Sequence, residues 1–216
     1  MFTTLLIVAL AGYLLGAIPF GYLVARAHRV NIFEVGSRSP GATNVRRVLG
    51  KGPGNLVFVL DALKGAAAAA PWAEYLLASW PRAATGNWFL QLQVLGLVAA
   101  LVGHSFSCFT RFQGGKGVAT GAGGLLVLMP VVVIIAVAAW TLTFYATGYV
   151  SLASIVSVLV LPLAALFFGL PALLTGLAGV VTFFVILRHR ANISRLLAGT
   201  ENKFGKKPEQ KKASEP

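Results

Sequence analysis

Three short segments of the chain combine small residues with side chains that bind phosphate. The first, over residues 36–47, reads GSRSPGATNVRR. Its glycines allow tight turns that point backbone N–H groups at an anion. Ser37, Thr43 and Asn44 offer further hydrogen-bonding groups, and the planar guanidinium of Arg47 matches a pair of phosphate oxygens. The segment therefore favours phosphate binding, with a flexible loop that only sets membrane topology as the alternative.

The second segment reads GHSF and then, over residues 112–120, FQGGKGVAT. Its glycines surround Lys116 just before an apolar run, which predicts an anion cradle at a helix N-terminus, with Gly114 and Gly115 as backbone donors. The spacing is not that of a nucleotide-binding Walker A loop, because no Ser or Thr follows the lysine. A glycine hinge with an interfacial lysine is the alternative, and a structural role explains His104 as well as a catalytic one.

The third segment, over residues 188–203, reads RHRANISRLLAGTENK. If it is helical, His189 and Asn192 share one face, and so do Asn192 and Arg195. That face would present hydrogen-bond donors at the membrane surface, near the single acid of the segment, Glu201. The alternative is a basic helix whose long side chains only reach the lipid headgroups.

Two charged residues, Asp61 and Lys64, lie three positions apart inside an apolar run. Such charges are costly within a membrane unless they pair or face a polar site. Either the two side chains pair with each other, or Lys64 reaches toward a substrate phosphate.

The residues that the chain lacks exclude several catalytic classes. Three histidines, one cysteine and scattered acids make no convincing zinc or two-metal site. No Ser-His-Asp set is readable, and Phe109 stands where a His-x4-Asp dyad beginning at His104 would place its acid. We therefore expect no metal and no cofactor, and a site without an obvious protein base.

The composition identifies the elements that must position these segments as membrane helices. Of 216 residues, 57% are hydrophobic and only 11% are charged, with a mean hydropathy of +0.79. A soluble domain has about a quarter charged residues, so a soluble enzyme, a disordered regulator and a disulfide scaffold are excluded. The net charge of +12 on so apolar a chain indicates contact with a membrane surface rather than with nucleic acid.

The apolar runs predict an all-α integral membrane protein with a bundle of about seven transmembrane helices. The first three candidates are Thr3–Ala25, about Gly54–Leu77 and about Trp88–Cys108. Residues 117–187 follow without a charged residue, and Pro130 and two Gly-containing breaks, at 147–149 and 169–171, divide them into four pieces of about 17–18 residues. Five spans with a re-entrant segment are the alternative.

The basic residues predict how the bundle is oriented. They concentrate between the first two spans, around residues 111–116 and after Leu187, so these segments should be cytoplasmic. The N-terminus then lies outside, the C-terminus lies in the cytoplasm, and Ser151 comes to the cytoplasmic face with the three motifs. Residues 1–204 are predicted to form one transmembrane domain, and residues 205–216 a polar, disordered tail.

Together the motifs resemble the signatures of the bacterial acyl-phosphate:glycerol-3-phosphate acyltransferases. The similarity covers residues 36–47, residues 103–120 and residues 188–201, and it extends to the segments around Asp61–Lys64 and residues 150–154. It spans nearly the whole chain up to Phe204, in the same order and spacing. One departure stands in the first motif, where Arg38 and Ser39 replace the usual Gly and Asn of the family.

The resemblance implies transfer of a fatty acyl group from acyl phosphate to the 1-hydroxyl of sn-glycerol 3-phosphate. The products would be lysophosphatidate and inorganic phosphate, in the first acylation of phospholipid synthesis at the bacterial cytoplasmic (inner) membrane. Carried over by motif, the catalytic residues would be Ser37, Arg47, Lys116, Ser151, His189 and Asn192. Substrate-binding residues would be Thr43, Asn44, Lys64, His104, Gly114, Gly115, Arg195 and Glu201.

These expectations carry consequences for mechanism and partners. Without a clear carboxylate base, a substrate phosphate is expected to accept the hydroxyl proton. The partners would be the two substrates and membrane lipid but no nucleic acid, and a monomer is the simplest expectation for an oligomeric state that the sequence leaves open. A phosphate transporter fits less well, because beyond Asp61 and Lys64 the spans carry no charge. A CDP-alcohol enzyme would need an aspartate-rich motif that is absent.

Overall fold

The computed structural model describes residues 2–70 and 88–204, and these residues are helical throughout, apart from their connections. Ten α-helices are numbered here in chain order, with a 3₁₀ turn over Cys108–Thr110 between α5 and α6. The helices are α1 Phe2–Ala17, α2 Phe20–Ala27, α3 Ala42–Leu49, α4 Lys51–Ala69, α5 Phe89–Ser105, α6 Val118–Leu128, α7 Pro130–Thr147, α8 Val150–Phe167, α9 Ala172–Arg188 and α10 Arg190–Leu197.

The described helices confirm an integral membrane fold. Four stretches are long and apolar enough to cross a bilayer, and α9 with α10, bent by 61°, makes a fifth candidate. The four stretches are Phe2–Ala27, Phe89–Thr110, Pro130–Thr147 and Val150–Phe167. The count of seven spans and the side on which each terminus lies stay predictions. The predicted span Gly54–Leu77 lies partly outside the described residues, and the predicted tail 205–216 lies wholly outside them. The single-domain boundary at 204 also stays a prediction.

The division of residues 117–187 into four helical pieces is confirmed. Pro130 begins α7, as expected for a residue whose missing N–H would find no partner in a first turn. Gly148, with φ +75°, ends α7 in the left-handed conformation. The first piece, α6, differs from the expected length, because the glycine loop before it and Pro130 after it leave only 11 helical residues.

Close backbone contacts fix the helices around the second motif. Helix α1 packs along α5, and α4 packs along α6. A Cβ on Gly16 would collide with the backbone of Ala100, and one on Gly65 with the backbone of Thr120. Small residues at these crossings let the helix axes approach, as is usual where lipid supplies no hydrophobic driving force. The α4–α6 contact places the Asp61–Lys64 turn beside the Lys116 loop.

Two clusters of buried apolar residues pack the helices against one another. The larger joins α5 to α9 and contains residues such as Leu97, Leu125, Leu161 and Val181. A smaller cluster of Ala25, Ile32, Val45 and Val57 packs the connection between α2 and α3 against α4. Because Ile32 and Val45 are fully buried, the first motif is anchored on both of its sides.

Candidate functional site

The three motifs and the start of α8 meet at one cavity of about 540 Å³. Most of the predicted site residues line it: Ser37, Thr43, Asn44, Arg47, His104, Lys116, Ser151, His189, Asn192, Arg195 and Glu201. Lys64, Gly114 and Gly115 are not among the lining residues. Residues that lie far apart in the chain therefore converge because each motif stands at a helix end on the same side of the bundle.

Asn44 holds the first motif in shape. Its Oδ1 accepts a hydrogen bond from the Ser37 N–H at 2.8 Å, and its Nδ2 donates to the carbonyl oxygens of Val35 (3.1 Å) and Ser39 (3.0 Å). The residue is 2% exposed. Its amide is thus committed to the loop backbone, so Asn44 supports the shape of the first motif and its amide is not free for a ligand.

The departure at Arg38 falls on a strained position. Arg38 has φ +56°, in the left-handed region that glycine occupies without a Cβ penalty. For a residue other than glycine that conformation costs about 1–2 kcal/mol. The backbone conformation gives a physical reason for the glycine that the motif resemblance implies at this position.

A hydrogen-bond network joins the second and third motifs across the cavity. Lys116 Nζ donates to Asn192 Oδ1 at 2.6 Å, and Asn192 Nδ2 donates to Glu201 Oε1 at 2.7 Å. Ser151 Oγ donates to the same Glu201 oxygen at 2.9 Å, and Arg195 Nε donates to the other at 2.7 Å. The network connects the loop before α6 with α8, α10 and the segment after α10.

His189 is held at the bend between α9 and α10. It is 3% exposed, and its Nδ1 lies 2.8 Å from the carbonyl oxygen of Val185. Since a carbonyl can only accept, Nδ1 carries the proton, and Nε2 is left as the ring atom for another partner.

The charges around the cavity favour an anionic ligand. Among the described residues, Arg46, Arg47, Lys116 and Arg195 line it together with two carboxylates, Asp61 and Glu201. Burial lowers the pKa of Lys116 to about 8; nearby arginine charges act in the same direction and Glu201 opposes them. Burial also lowers the pKa of Arg47. Cations whose positive charge is disfavoured in this way gain most from an incoming phosphate.

Glu201 itself stays ionised within the network. Burial alone would raise the pKa of its carboxyl, but hydrogen bonds from Asn192, Ser151 and Arg195 and the charge of Arg195 bring the pKa below its ordinary value. The carboxylate therefore serves as an acceptor for three donors.

Gly114 and Gly115 pack closely against His104 and Arg188, and their predicted contact with substrate stays a prediction. The Gly115 N–H donates to the carbonyl oxygen of His104 at 3.1 Å, and Arg188 Nη2 donates to the Gly114 and Gly115 carbonyls at 3.3 and 3.1 Å. A Cβ on Gly115 would collide with the His104 ring, and one on Gly114 with the His104 backbone. The glycines permit this close approach, and the Arg188 side chain fixes the loop that carries Lys116.

Lys64 pairs inside the bundle instead of reaching the cavity. Its Nζ lies 2.8 Å from Asp61 Oδ1 and donates to the Ile18 carbonyl at 2.8 Å. Both charged side chains are almost fully buried. Asp61 also faces His104, whose Nδ1 is 3.5 Å from Oδ1. The geometry thus matches the alternative in which Asp61 and Lys64 pair, because the Lys64 ammonium contacts Asp61 and the Ile18 carbonyl within the protein.

Sequence reasoning missed part of the cavity wall. Trp140, Thr141, Phe144 and Phe58 line it from α7 and α4, and Trp140 Nε1 donates to Ser154 Oγ at 3.2 Å. These side chains lie inside uniformly apolar runs, where no charge or periodicity distinguishes them. The sequence marks Asp61 as a charged residue within an apolar run, but it does not indicate that Asp61 lines the cavity.

A second, apolar cavity of about 290 Å³ adjoins the polar one. Its walls come from α6, α7, α8 and α9, with residues such as Gly121, Leu125, Ala136 and Leu161. Both cavities share Phe58, Gly117, Val118, Trp140 and Thr141. Within the part of the chain that the structure describes, no three His, Cys, Asp or Glu side chains are grouped to hold a metal ion.

A cationic cavity that shares wall residues with an apolar one, inside a bundle of apolar helices, is typical of a membrane protein whose ligands combine an anionic group with a lipid-like one. The chain matches the model of the family described as "Glycerol-3-phosphate acyltransferase" over residues 6–199. It therefore belongs to the glycerol-3-phosphate acyltransferase family, whose members are acyltransferases of phospholipid synthesis.

Individual relatives match along nearly their whole length. A glycerol-3-phosphate acyltransferase of Fusobacterium nucleatum is 44% identical over 193 residues, which cover 89% of this chain and 94% of the relative. One of Synechococcus sp. strain JA-3-3Ab is 44% identical over 205 residues, covering 94% of each. The crystal structure of PlsY (YgiH), an integral membrane glycerol 3-phosphate acyltransferase in its glycerol 3-phosphate form, has a TM-score of 0.81 at 38% identity, covering 93% of this chain and 96% of that one.

Proposed function

We propose that this protein transfers a fatty acyl group from acyl phosphate to the 1-hydroxyl of sn-glycerol 3-phosphate. Lysophosphatidate and inorganic phosphate are the products. The observation that carries the proposal is the junction of the cationic cavity with the apolar one at Lys116–Gly117. The solved structures of PlsY in glycerol 3-phosphate and lysophosphatidic acid forms support this substrate and product by relationship.

The cationic cavity suits two phosphate groups. Arg47 and Lys116 face it from opposite motifs, and Arg195 adds a third cation whose charge is partly balanced by Glu201. Ser37, Ser151, Asn192 and His189 add neutral hydrogen-bonding groups around them. Thr43 and His104 line the same wall and contact the glycerol part, whereas Asn44, Gly114 and Gly115 act by shaping their loops.

The apolar cavity suits the acyl chain. Gly121 and Ala136 leave room between α6 and α7, and Leu161 and Val181 line the far wall. A chain seated there would have its carbonyl at the shared wall of Gly117 and Trp140, next to Lys116. This arrangement places a water-soluble acceptor and a lipid-soluble donor on either side of a shared wall.

The reaction needs no covalent enzyme intermediate, because an acyl phosphate is already activated. The 1-hydroxyl oxygen attacks the acyl carbonyl carbon, the bond from that carbon to the phosphate oxygen breaks, and inorganic phosphate leaves. Lys116 and Arg47 neutralise charge on the phosphates, and hydrogen bonds to the carbonyl oxygen stabilise it as negative charge develops. Positioning two reactants in this way can contribute roughly 7–11 kcal/mol.

The proton of the attacking hydroxyl goes to a substrate phosphate. Both carboxylates of the cavity wall are already engaged, Asp61 with Lys64 and Glu201 with three donors. We assign the proton to a bound phosphate rather than to Nε2 of His189, because a phosphate dianion held next to the reacting hydroxyl carries the negative charge that favours taking up a proton. We place this site at the cytoplasmic face of the bacterial inner membrane, because the basic loops of the sequence gather at the same helix ends.

The donor assignment is tested with purified protein in detergent, palmitoyl phosphate and labelled glycerol 3-phosphate, without coenzyme A. Labelled lysophosphatidate and stoichiometric inorganic phosphate are expected. Product that forms only from acyl-coenzyme A or from an acyl carrier protein thioester would show that the donor is wrong, while leaving the acceptor intact.

A further inference from the structure

Residues 198–204, here called the strap, form no helix but are fixed at both ends. At the first end Gly199 has φ +68° and the Thr200 N–H donates to the Arg195 carbonyl at 2.8 Å, which turns the chain away from α10. At the other end the Phe204 N–H donates to the carbonyl of Gly148, in the turn between α7 and α8, at 2.9 Å. Glu201 and Phe204 of the strap line the cationic cavity.

The Phe204 ring is held by two further elements. It meets the ring of Phe144 on α7 edge to face, with 5.6 Å between centroids. The guanidinium carbon of Arg46, on α3, lies 4.7 Å from its centroid, which is within the range of a cation–π contact. Arg46 also donates to Asn55 Oδ1 at 3.3 Å. Arg46 is therefore engaged with the strap and α4, unlike its neighbour Arg47.

Between these two ends lies the carboxylate that orders the catalytic network. Because Asn192 Nδ2 donates to Glu201, the amide must turn its Oδ1 toward Lys116. Lys116, which can only donate, and ionised Glu201, which can only accept, together select that orientation over the flipped one, and without Glu201 the Nδ2 side of the amide loses its partner. The position of Glu201 in turn depends on the two anchors, since the residues around it belong to no helix.

We infer that Phe204, clamped by Arg46, is a positioning residue: the clamp holds the strap so that Glu201 orients Asn192 and Lys116 for phosphate. The kinetic part of this inference rests on the proposed function. The motif resemblance places no requirement on residue 46, so the clamp is a property of this chain's own residues.

The clamp has a consequence for the pH dependence of activity. Lys116 is faced by one carboxylate and several other groups: Glu201, Arg195, Arg47, Arg188 and His189. Only Glu201 among them raises the Lys116 pKa. If the strap detaches while Lys116 stays buried, Lys116 loses the one charge that raises its pKa, so that pKa falls and the alkaline loss of kcat/KM moves to lower pH. Substitution of a residue that only supported the fold would lower activity without changing the pH at which kcat/KM falls, here called the alkaline limb of the profile.

The test compares Phe204→Ala, Phe204→Tyr and Arg46→Met in detergent, with Leu197→Ala as the matched control, because Leu197 is 86% exposed. Kinetics with palmitoyl phosphate and glycerol 3-phosphate are measured against pH, and amide hydrogen exchange of residues 198–204 is followed by mass spectrometry. Phe204→Ala should lose about ten-fold in kcat/KM, shift the alkaline limb downward and exchange the strap amides faster. Arg46→Met should follow with smaller changes, and Phe204→Tyr should behave like the unmodified chain.

Unchanged exchange and an unchanged pH limb in Phe204→Ala would overturn the inference, as would equal effects of Leu197→Ala. If Phe204→Ala does not fold, Arg46→Met decides by the same criteria. If the unmodified chain makes no lysophosphatidate, the proposed function fails separately. Hydrogen exchange then decides the clamp: faster exchange of the strap in Phe204→Ala supports it, and wild-type exchange overturns it.

Discussion

The two carboxylates beside the cavity, Asp61 and Glu201, are neutralised in different ways. Asp61 pairs with Lys64 one helical turn away, almost fully buried within α4. Glu201 belongs to no helix and receives hydrogen bonds from Ser151, Asn192 and Arg195, which come from other elements. The first pair is local and internal to the bundle, whereas the second network also takes in Ser151 of α8 and, through Asn192, Lys116, so it is complete only when distant segments assemble. The comparison separates a stabilising charge pair from one that orders a site.

The largest expected effect lies on the Glu201 side of this comparison. Lys116→Ala and Asn192→Ala should each lower kcat by about 10³-fold, the magnitude typical for losing a group that stabilises transition-state charge. Product formation from palmitoyl phosphate measures the effect, and unchanged expression and elution in detergent show that the fold persists. Lys51→Ala, which removes an exposed lysine outside the cavity, is the control. Activity retained in either site variant would contradict the site assignment.

Substitution of Asp61 should lower mainly the stability of the fold. Asp61→Ala leaves the Lys64 ammonium buried at 4% exposure without its partner, which should cost about 3–5 kcal/mol. Thermal unfolding in detergent should show a lower midpoint. The double variant Asp61→Leu, Lys64→Met removes both charges and should recover most of the loss. A double variant as unstable as the single one would mean that the pair does more than balance charge.

Glu201→Gln tests whether the Glu201 network affects activity more than stability. The glutamine oxygen can still accept from Asn192 and Ser151, but its NH₂ would face the donating Nε of Arg195. We expect a loss of about ten-fold in kcat/KM, ~1.4 kcal/mol, with a smaller change in unfolding than Asp61→Ala gives.

The same variant should change the pH profile. In the unmodified chain kcat/KM should fall as pH rises through about 8, where Lys116 loses its proton and its positive charge. Glu201 raises that pKa, so Glu201→Gln should move the fall to lower pH. Lys116→Arg, which stays charged, should abolish the fall wherever it retains activity. A limb at the same pH in all three proteins would assign it to another group.

The smallest effect concerns the first motif, outside both carboxylate sites. Arg38→Gly relieves a left-handed residue at φ +56° and should stabilise the protein by up to about 1 kcal/mol, since part of the gain is offset by the greater freedom of glycine when unfolded. Thermal unfolding measures it, and Arg38→Ala, which keeps a Cβ, should not reproduce the gain.

Much of the site could be predicted because its residues stand in polar motifs at helix ends. His189, Asn192 and Arg195 follow from helical spacing, and Lys116 from the glycines around it. The sequence cannot assign the roles of Gly114, Gly115 and Lys64, since their pattern fits both a ligand role and a packing role. Only the three-dimensional contacts with His104 and Ile18 distinguish the two.

The fold was predictable as a class but less so in its detail. Breaks at Pro130 and Gly148 divide the last apolar region as expected, because these residues end helices locally. The wall residues Trp140 and Phe144 could not be found, since an all-apolar helix gives no sign of which face meets a cavity. The strap could not be predicted from the sequence either, because it depends on contacts of Phe204 with Arg46 and Gly148, two residues far from it in the chain.

The shortness of α6 bears on how the reactants meet. Eleven residues rise only about 16 Å, roughly half of the hydrocarbon thickness. The irregular backbone before it, around residues 106–117, can lie at membrane depth only where it is buried in protein or borders a water-filled cavity. Lys116 and Gly117 of this backbone line the polar cavity, so a polar space extends alongside the start of α6. In the proposed reaction, glycerol phosphate and a lipid-soluble donor would meet there without either one leaving its own phase.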